Sequence, residues 1–83
     1  MPRKFPIEFQ RVLVAKEQDY AGVAKLLTAK GDRVSRQFIQ YLGDGQKDVP
    51  AKRLRAICTV LDLDKPARQK LHWAAAKDRG YEL

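Results

Sequence analysis

Residues 23–61 read VAKLLTAKGDRVSRQFIQYLGDGQKDVPAKRLRAICTVL, and this stretch decides the predicted fold. Its apolar residues recur at intervals of three and four, which is the period of an amphipathic helix and not of a strand. Gly31 and the turn Gly43-Asp44-Gly45 interrupt the helical pattern, and Pro50 reopens it. The pattern therefore predicts a short helix between two glycine turns, with a longer helix on each side.

The same period continues in both directions, so the sequence predicts an all-α fold, a five-helix bundle. Asp19, Ser35 and Asp64 are N-cap residue types that immediately precede helical patterns, and Pro6 suits a first helical turn. Gly31 is expected at the C′ position of the second helix. The predicted bounds are 6–18, 20–30, 36–42, 50–61 and 65–79, with a stop at residue 80. The expected inner face of the first helix comprises Ile7, Phe9, Val12 and Leu13.

The chain of 83 residues is expected to form one domain, since so short a chain cannot hold two independent cores. No segment approaches the roughly 18 apolar residues of a membrane helix, and residues 1–9 lack the apolar region of a signal peptide. Cys58, the only cysteine, lies in the apolar segment 57–61, which favours a buried thiol over a disulfide. These features predict a cytoplasmic protein without membrane contact.

The charge of the chain is strongly positive and unevenly distributed. Lysine and arginine number 17 against 10 aspartate and glutamate residues, which gives a net charge of +7. Residues 25–55 hold eight basic and three acidic side chains, a net charge of +5. Such an excess favours polyanionic partners such as DNA, RNA or an acidic membrane surface. Its concentration around the short helix is not expected of charge that serves only solubility.

The short third helix carries side chains that can recognise bases. Its apolar residues are spaced to pack against the preceding helix, and its polar residues face outward on a helical projection. Arginine can pair with O6 and N7 of guanine, and glutamine can pair with adenine. The predicted base-contacting residues are Ser35, Arg36, Gln37, Gln40 and Tyr41. The alternative interpretation is a solvated polar face without a ligand.

Basic residues on both sides of the short helix are predicted to contact DNA phosphates. Arg33 lies in the preceding turn, Lys47 in the following loop, and Lys52 and Arg53 in the first turn of the fourth helix. Phosphate contacts position a protein on the duplex without reading its sequence. Arg3, near the N-terminus, is expected either to reach the DNA or to belong to a basic tail without specific contacts.

Residues 34–42 (VSRQFIQYL), then Gly45 and residues 49–53 (VPAKR), resemble the lambda-repressor/Cro-type helix-turn-helix superfamily, especially the small phage Cro-like regulators. The resemblance spans residues 20–63, with the helix-turn-helix at about 20–42. It implies a DNA-binding domain, usually dimeric, that represses transcription at an inverted-repeat operator of a phage or mobile-element promoter. It places Ser35, Arg36, Gln37, Gln40 and Tyr41 at positions that contact bases and the DNA backbone.

The turn before the short helix departs from the family pattern. The family has a tight turn there, whereas this chain has the longer segment Thr28-Ala29-Lys30-Gly31-Asp32-Arg33. Either an extra turn of helix or a wider loop has to accommodate the additional residues.

The C-terminal region is expected to form a homodimer interface. The predicted fifth helix, about 65–79, contains Trp73, and Tyr81 and Leu83 follow it. Aromatic residues are enriched at protein interfaces, so Trp73, Tyr81 and Leu83 are the predicted dimer contacts. His72 is the only histidine and belongs to no ligand cluster, so no metal and no cofactor are expected.

Two other function classes stay open, although an enzyme is not expected. No nucleophile–base pair and no phosphate-binding glycine loop is recognisable, and no small-molecule substrate is predicted. A module that binds RNA or any nucleic acid would need more stacking aromatic residues than Phe38 and Tyr41 provide. An antitoxin or co-regulator would bind a protein partner through its C-terminal helix while the helix-turn-helix binds DNA.

Overall fold

The computed structural model describes residues 3–78, which form five α-helices and no strand. The prediction of an all-α chain with five helices is confirmed for this range. None of these helices combines the length and the apolar character that crossing a bilayer requires. The helices are α1 (Lys4–Ala15), α2 (Tyr20–Ala29), α3 (Arg36–Gly43), α4 (Ala51–Val60) and α5 (Lys65–Asp78).

One cluster of buried apolar side chains includes residues from all five helices. Helix α1 packs against α5 and α3, and α2 packs against α3 and α4. The short helix α3 is therefore held by two neighbours, which fixes the face that it presents to solvent. The largest side chains with almost no exposed surface are Phe9, Leu27, Ile39, Leu42, Ile57 and Leu71.

Local side chains cap three of the helices as the sequence predicts. Asp19, Ser35 and Asp64 each accept a hydrogen bond from the backbone N–H three residues later, at 2.7–3.1 Å. These bonds satisfy donors that the first turn of a helix leaves without an intrahelical partner.

Helix α1 receives its cap from the other end of the chain. The carboxylate of Asp78, the last residue of α5, accepts hydrogen bonds from the N–H groups of Lys4 at 2.6 Å and Phe5 at 2.8 Å. Because this cap precedes Pro6, α1 begins two residues before the predicted start at residue 6. The last helix and the first helix are thereby joined by polar contacts as well as by the core.

Four helices end in the same backbone motif. At the end of α2, Gly31 has φ +90°, and the N–H of Asp32 bonds to the carbonyl of Leu27 at 2.9 Å. This is the Schellman arrangement, in which a residue in left-handed conformation closes the helix. The left-handed residues that close α1, α3 and α4 are Glu17, Gly45 and Asp62.

The predicted inner face of α1 is wrong at Ile7, which is 48% exposed. The buried residues of this helix are Phe5, Phe9 and Leu13. Their spacing of four defines the inner stripe, and Ile7 lies two residues after Phe5, about 200° away around the helix axis. The helix also ends at Ala15, before the predicted end at residue 18, because Glu17 closes it.

A wider loop accommodates the additional residues between α2 and α3. Residues 30–35 connect the two helices, whereas the turn of a helix-turn-helix usually has 3–4 residues. The Schellman bonds at Gly31 fix the beginning of this loop, and the Ser35 cap fixes its end.

Candidate nucleic-acid interface

Helix α3 has a buried face and an exposed edge, as its sequence predicts. Ile39, Leu42 and Gly43 are buried, whereas Arg36 and Gln37 are exposed. Gln40 and Tyr41 are half-buried. The structure therefore places the predicted base-contacting residues on one short helix, but with unequal access to solvent.

Gly43, the last residue of α3, lies in close contact with Tyr20 of α2. A Cβ atom built on Gly43 would lie 2.6 Å from two ring carbons of Tyr20, so only glycine leaves room for this ring. The Tyr20 ring in turn lies near Phe9, with ring centroids 6.4 Å apart. Gly43 thus lets α3 approach α2 closely at the end opposite the Ser35 cap.

Ser35 and Arg36, at the beginning of the exposed edge, differ in how many of their polar groups are already bound. The Ser35 hydroxyl oxygen accepts the hydrogen bond from the N–H of Phe38 at 3.1 Å, so this group caps α3 and keeps its O–H for a further partner. Arg36 is exposed and forms no ion pair within residues 3–78. Its guanidinium donors are therefore available to an acceptor outside the described chain.

Gln37 and Tyr41 are joined one turn apart on α3. The Gln37 Nε2 donates to the Tyr41 hydroxyl at 2.7 Å. The amide retains its oxygen and a second N–H, which is the pair of groups that adenine recognition needs. This bond orients the Gln37 side chain along the helix. Sequence analysis missed the link, although the i,i+4 spacing of the two residues is its signal.

Two cations lie over the aromatic rings of α3. The Nζ of Lys47 is 5.2 Å from the ring centroid of Tyr41 and 6.0 Å from that of Phe38. The Cζ of Arg53 is 5.4 Å from the Phe38 centroid. Such cation–π contacts hold a cation in place without neutralising it. Phe38 therefore packs against the core and also supports Lys47 and Arg53.

The four predicted phosphate contacts are not equivalent. Arg33, Lys47 and Lys52 are exposed, and none of them forms an ion pair within residues 3–78. Arg53 is half-buried, and its Nη1 atom pairs with the carboxylate of Asp32 in the loop before α3. Sequence analysis did not identify Asp32 as part of this surface.

Arg3 is bound to the protein, so both expectations for it are wrong: it is neither free to reach DNA nor part of a basic tail without specific contacts. One guanidinium nitrogen donates to the Gly45 carbonyl at 2.7 Å, and another pairs with the Asp48 carboxylate. A third contact joins Arg3 to Asp78, at 3.7 Å. Arg3 thereby connects the loop after α3 to the end of α5, which keeps Lys47 near α3.

The predicted dimer contacts are only partly within the described residues. Trp73 is 44% exposed, and the Nζ atoms of Lys4 and Lys77 lie 5.4 and 5.9 Å from its ring. Tyr81 and Leu83 lie outside residues 3–78. An exposed indole between two lysines offers an apolar contact with a cationic rim.

A groove and a buried thiol are further features of the described chain. A shallow groove of about 520 Å³ lies between α2 and the beginning of α3, lined by small and aliphatic side chains together with Lys25 and Arg36. Within residues 3–78, no three His, Cys, Asp or Glu side chains are grouped closely enough to hold a metal ion. Cys58 is buried, as predicted.

Comparisons with protein-family models, with curated proteins and with solved structures found no match to this chain.

Proposed function

We propose that this protein is a sequence-specific DNA-binding regulator of transcription, with α3 as its recognition helix. The observation that carries the proposal is the exposed edge of α3, where Arg36 and Gln37 face solvent between cationic segments. A short helix of this kind fits the major groove, which is wide enough to admit an α-helix. The resemblance to the lambda-repressor/Cro-type superfamily supports the same assignment.

Arg36, Gln37 and Gln40 are the proposed base-reading residues. Arginine donates to two acceptors of guanine, and glutamine pairs with the donor and acceptor of adenine. Each well-formed pair contributes about 1–3 kcal/mol of discrimination against a wrong base. Ser35 and Tyr41, at the two ends of the helix, complete the surface as contacts to bases or to the backbone.

Arg33, Lys47 and Lys52 are the proposed phosphate contacts, and Arg53 is a fourth contact only where its pair with Asp32 opens. They lie before α3, after it and at the start of α4, so they bracket the reading helix along the chain. Their charge attracts any duplex, and the resulting binding weakens as salt rises. The base-reading and phosphate-binding roles thus belong to different residues and can be separated by mutation.

The regulator is proposed to act as a homodimer on an inverted repeat, as a repressor of a phage or mobile-element promoter. A two-fold symmetric protein matches the symmetry of such a site. A second candidate function, an antitoxin or co-regulator that binds a protein partner through α5, is favoured by the exposure of Trp73.

Comparison of Arg36→Ala with Lys52→Ala tests the proposal. A footprint on the DNA flanking the gene first identifies the bound site, and affinities are then measured for that site and for an arbitrary duplex. Arg36→Ala should reduce the preference for the site by about 1–3 kcal/mol and leave weak general binding. Gln40→Ala should do the same. Lys52→Ala should weaken binding to both duplexes and flatten the salt dependence.

If Arg36→Ala and Lys52→Ala each lost the same affinity for the bound site and for the arbitrary duplex, the assignment of roles would be refuted. Absence of any duplex binding, together with recovery of a neighbouring gene's product in complex with this chain, would favour the partner-binding function.

A further inference from the structure

The guanidinium group of Arg53 is engaged from two sides. Its Nη1 atom pairs with the carboxylate of Asp32, and its Cζ lies 5.4 Å from the ring centroid of Phe38. The side chains of Arg53 and Asp32 are 26% and 37% exposed. Salt screens a partly buried pair less than a fully exposed one. Arg53 is therefore a cation whose charge is offset before any ligand arrives.

The other cations around α3 lack such a carboxylate. Lys52 is the chain neighbour of Arg53, yet it is exposed and forms no ion pair within residues 3–78. Lys47 lies over two aromatic rings, which leave its positive charge in place. Asp32 thus acts on one cation of this surface and not on its neighbours.

We propose that Asp32 limits the general affinity of this surface for DNA, because it withholds Arg53 from DNA phosphates. The inference rests on the proposed function, and it concerns the DNA affinity of the same surface. The Asp32 carboxylate repels a phosphate that approaches Arg53 unless the phosphate displaces it, so in either case the ion pair weakens that contact. Phosphate contacts carry no sequence information. Asp32 therefore lowers binding to every duplex while leaving the exposed edge of α3 unchanged.

The consequence is a weaker general affinity for DNA and a weaker dependence of that affinity on salt. Specificity is a difference between two affinities, and Asp32 lowers both of them alike. The strength of the ion pair sets how far Asp32 lowers the affinity for DNA. Loss of a pair with this exposure should change that affinity by about fivefold. An additional phosphate bound at Arg53 would also steepen the slope of log affinity against log salt by about 0.9.

Asp32→Asn tests the inference, because it removes the charge and keeps the size and the acceptor oxygen of the side chain. Binding to a short labelled duplex of arbitrary sequence is measured between about 50 and 200 mM salt. Asp32→Asn is expected to bind about fivefold more tightly at the lower salt, with the steeper slope. The matched control is Asp44→Asn, which removes the same charge from an exposed residue just after α3 that has no ion pair within residues 3–78. The control should leave the slope unchanged.

A second comparison keeps the test valid if Asp32→Asn is unstable. In the otherwise unaltered chain, Arg53→Ala should leave general binding and its salt slope nearly unchanged, whereas Lys52→Ala should reduce both. In the Asp32→Asn background, Arg53→Ala should abolish the tighter binding, which is the coupling that a double-mutant cycle measures.

Equal increases in affinity for Asp32→Asn and Asp44→Asn would overturn the inference, since they would reflect net charge alone. Equal losses in Arg53→Ala and Lys52→Ala would overturn it as well. If the unaltered chain binds the duplex and Asp32→Asn changes nothing, the role of Asp32 fails and the proposed function stands. If neither protein binds any duplex, both fail.

Discussion

Two helical glycines differ in what surrounds them, and their substitutions should have opposite effects. Gly43→Ala forces the Tyr20 ring away, because the new Cβ would lie 2.6 Å from its carbons, and we expect it to destabilise the protein by about 2 kcal/mol. Gly22→Ala meets chiefly the amide oxygen at the flexible end of Gln18, so the ordinary helix preference for alanine should stabilise by about 0.5 kcal/mol. Urea unfolding of the two variants measures both changes, and an equal effect would contradict the close packing at Gly43.

Cys58 should make the stability of the protein depend on pH in the alkaline range. Burial raises the pKa of the Cys58 thiol, and the nearby Arg68 guanidinium and a backbone hydrogen bond oppose this only in part. The folded state therefore holds the thiol proton more tightly than the unfolded chain does. This contribution to stability is fully present below the pKa of an unfolded thiol, about 8.5, and is lost as pH rises through the folded pKa.

The measurement is the free energy of unfolding of the unaltered chain and of Cys58→Ala, between about pH 8 and 10. The unaltered chain should lose stability more steeply with rising pH than Cys58→Ala does. Parallel curves for the two proteins would show that the thiol does not contribute.

The side chains of the candidate surface show what sequence analysis can and cannot supply at this scale. Exposure of Gln37 follows from helical periodicity, which places it about 200° around the axis from the buried Ile39. Arg36 lies about 60° from Ile39, so periodicity does not account for its exposure at the first position of α3. The pairing of Arg53 with Asp32 joins residues 21 positions apart across a loop, and its geometry depends on how α4 packs. No local sequence pattern indicates such a contact, so only the three-dimensional structure shows it.

At the scale of helices, the ends are set by left-handed residues, two of which are not glycine. Glu17 has φ +54° at the end of α1, a conformation that costs a side chain about 1–2 kcal/mol. Glu17→Gly should therefore stabilise the protein by about 0.5–1 kcal/mol after the added freedom of the unfolded chain is subtracted. Gly31→Ala, at φ +90° with nothing within 4 Å of the new Cβ, should destabilise by about 1 kcal/mol. Thermal unfolding tests both, and a lower melting temperature for Glu17→Gly would contradict this account.

The order and type of the five helices were predictable because each carries a local signal. Periodicity, the caps Asp19, Ser35 and Asp64, and the glycine at position 31 all act within a few residues. The start of α1 was not predictable, since Asp78 caps it from 74 positions away along the chain. The end of α1 was missed for another reason: nothing in the glutamate at position 17 indicates a left-handed conformation.

At the scale of the whole molecule, two helices that both pack against α1 carry surfaces of different character. The α5 surface carries the exposed Trp73 with two lysines, whereas the α3 surface carries the candidate reading edge. Since different helices form the two surfaces, a protein contact at Trp73 is compatible with a duplex at α3.

The proposed homodimer yields the last prediction, which concerns its response to salt. A two-fold interface centred on Trp73 places the same patch against itself, so Lys4 and Lys77 of one copy approach those of the other. Salt screens this repulsion, and the dimer should tighten as salt rises, while duplex binding weakens. Sedimentation equilibrium at several salt concentrations measures the first effect.

Trp73→Ala should weaken that dimer at least tenfold, because a buried aromatic anchor commonly contributes about 2 kcal/mol. Val14→Ala is the control: Val14 is 77% exposed, but it lies ten residues beyond Lys4, about 15 Å farther along α1 from the Trp73 patch. A dimer that weakens with salt, or that loses equal stability in both variants, would mean that the two copies meet elsewhere. In that case the exposed indole and its lysines remain available to a different, acidic partner, as the antitoxin or co-regulator function requires.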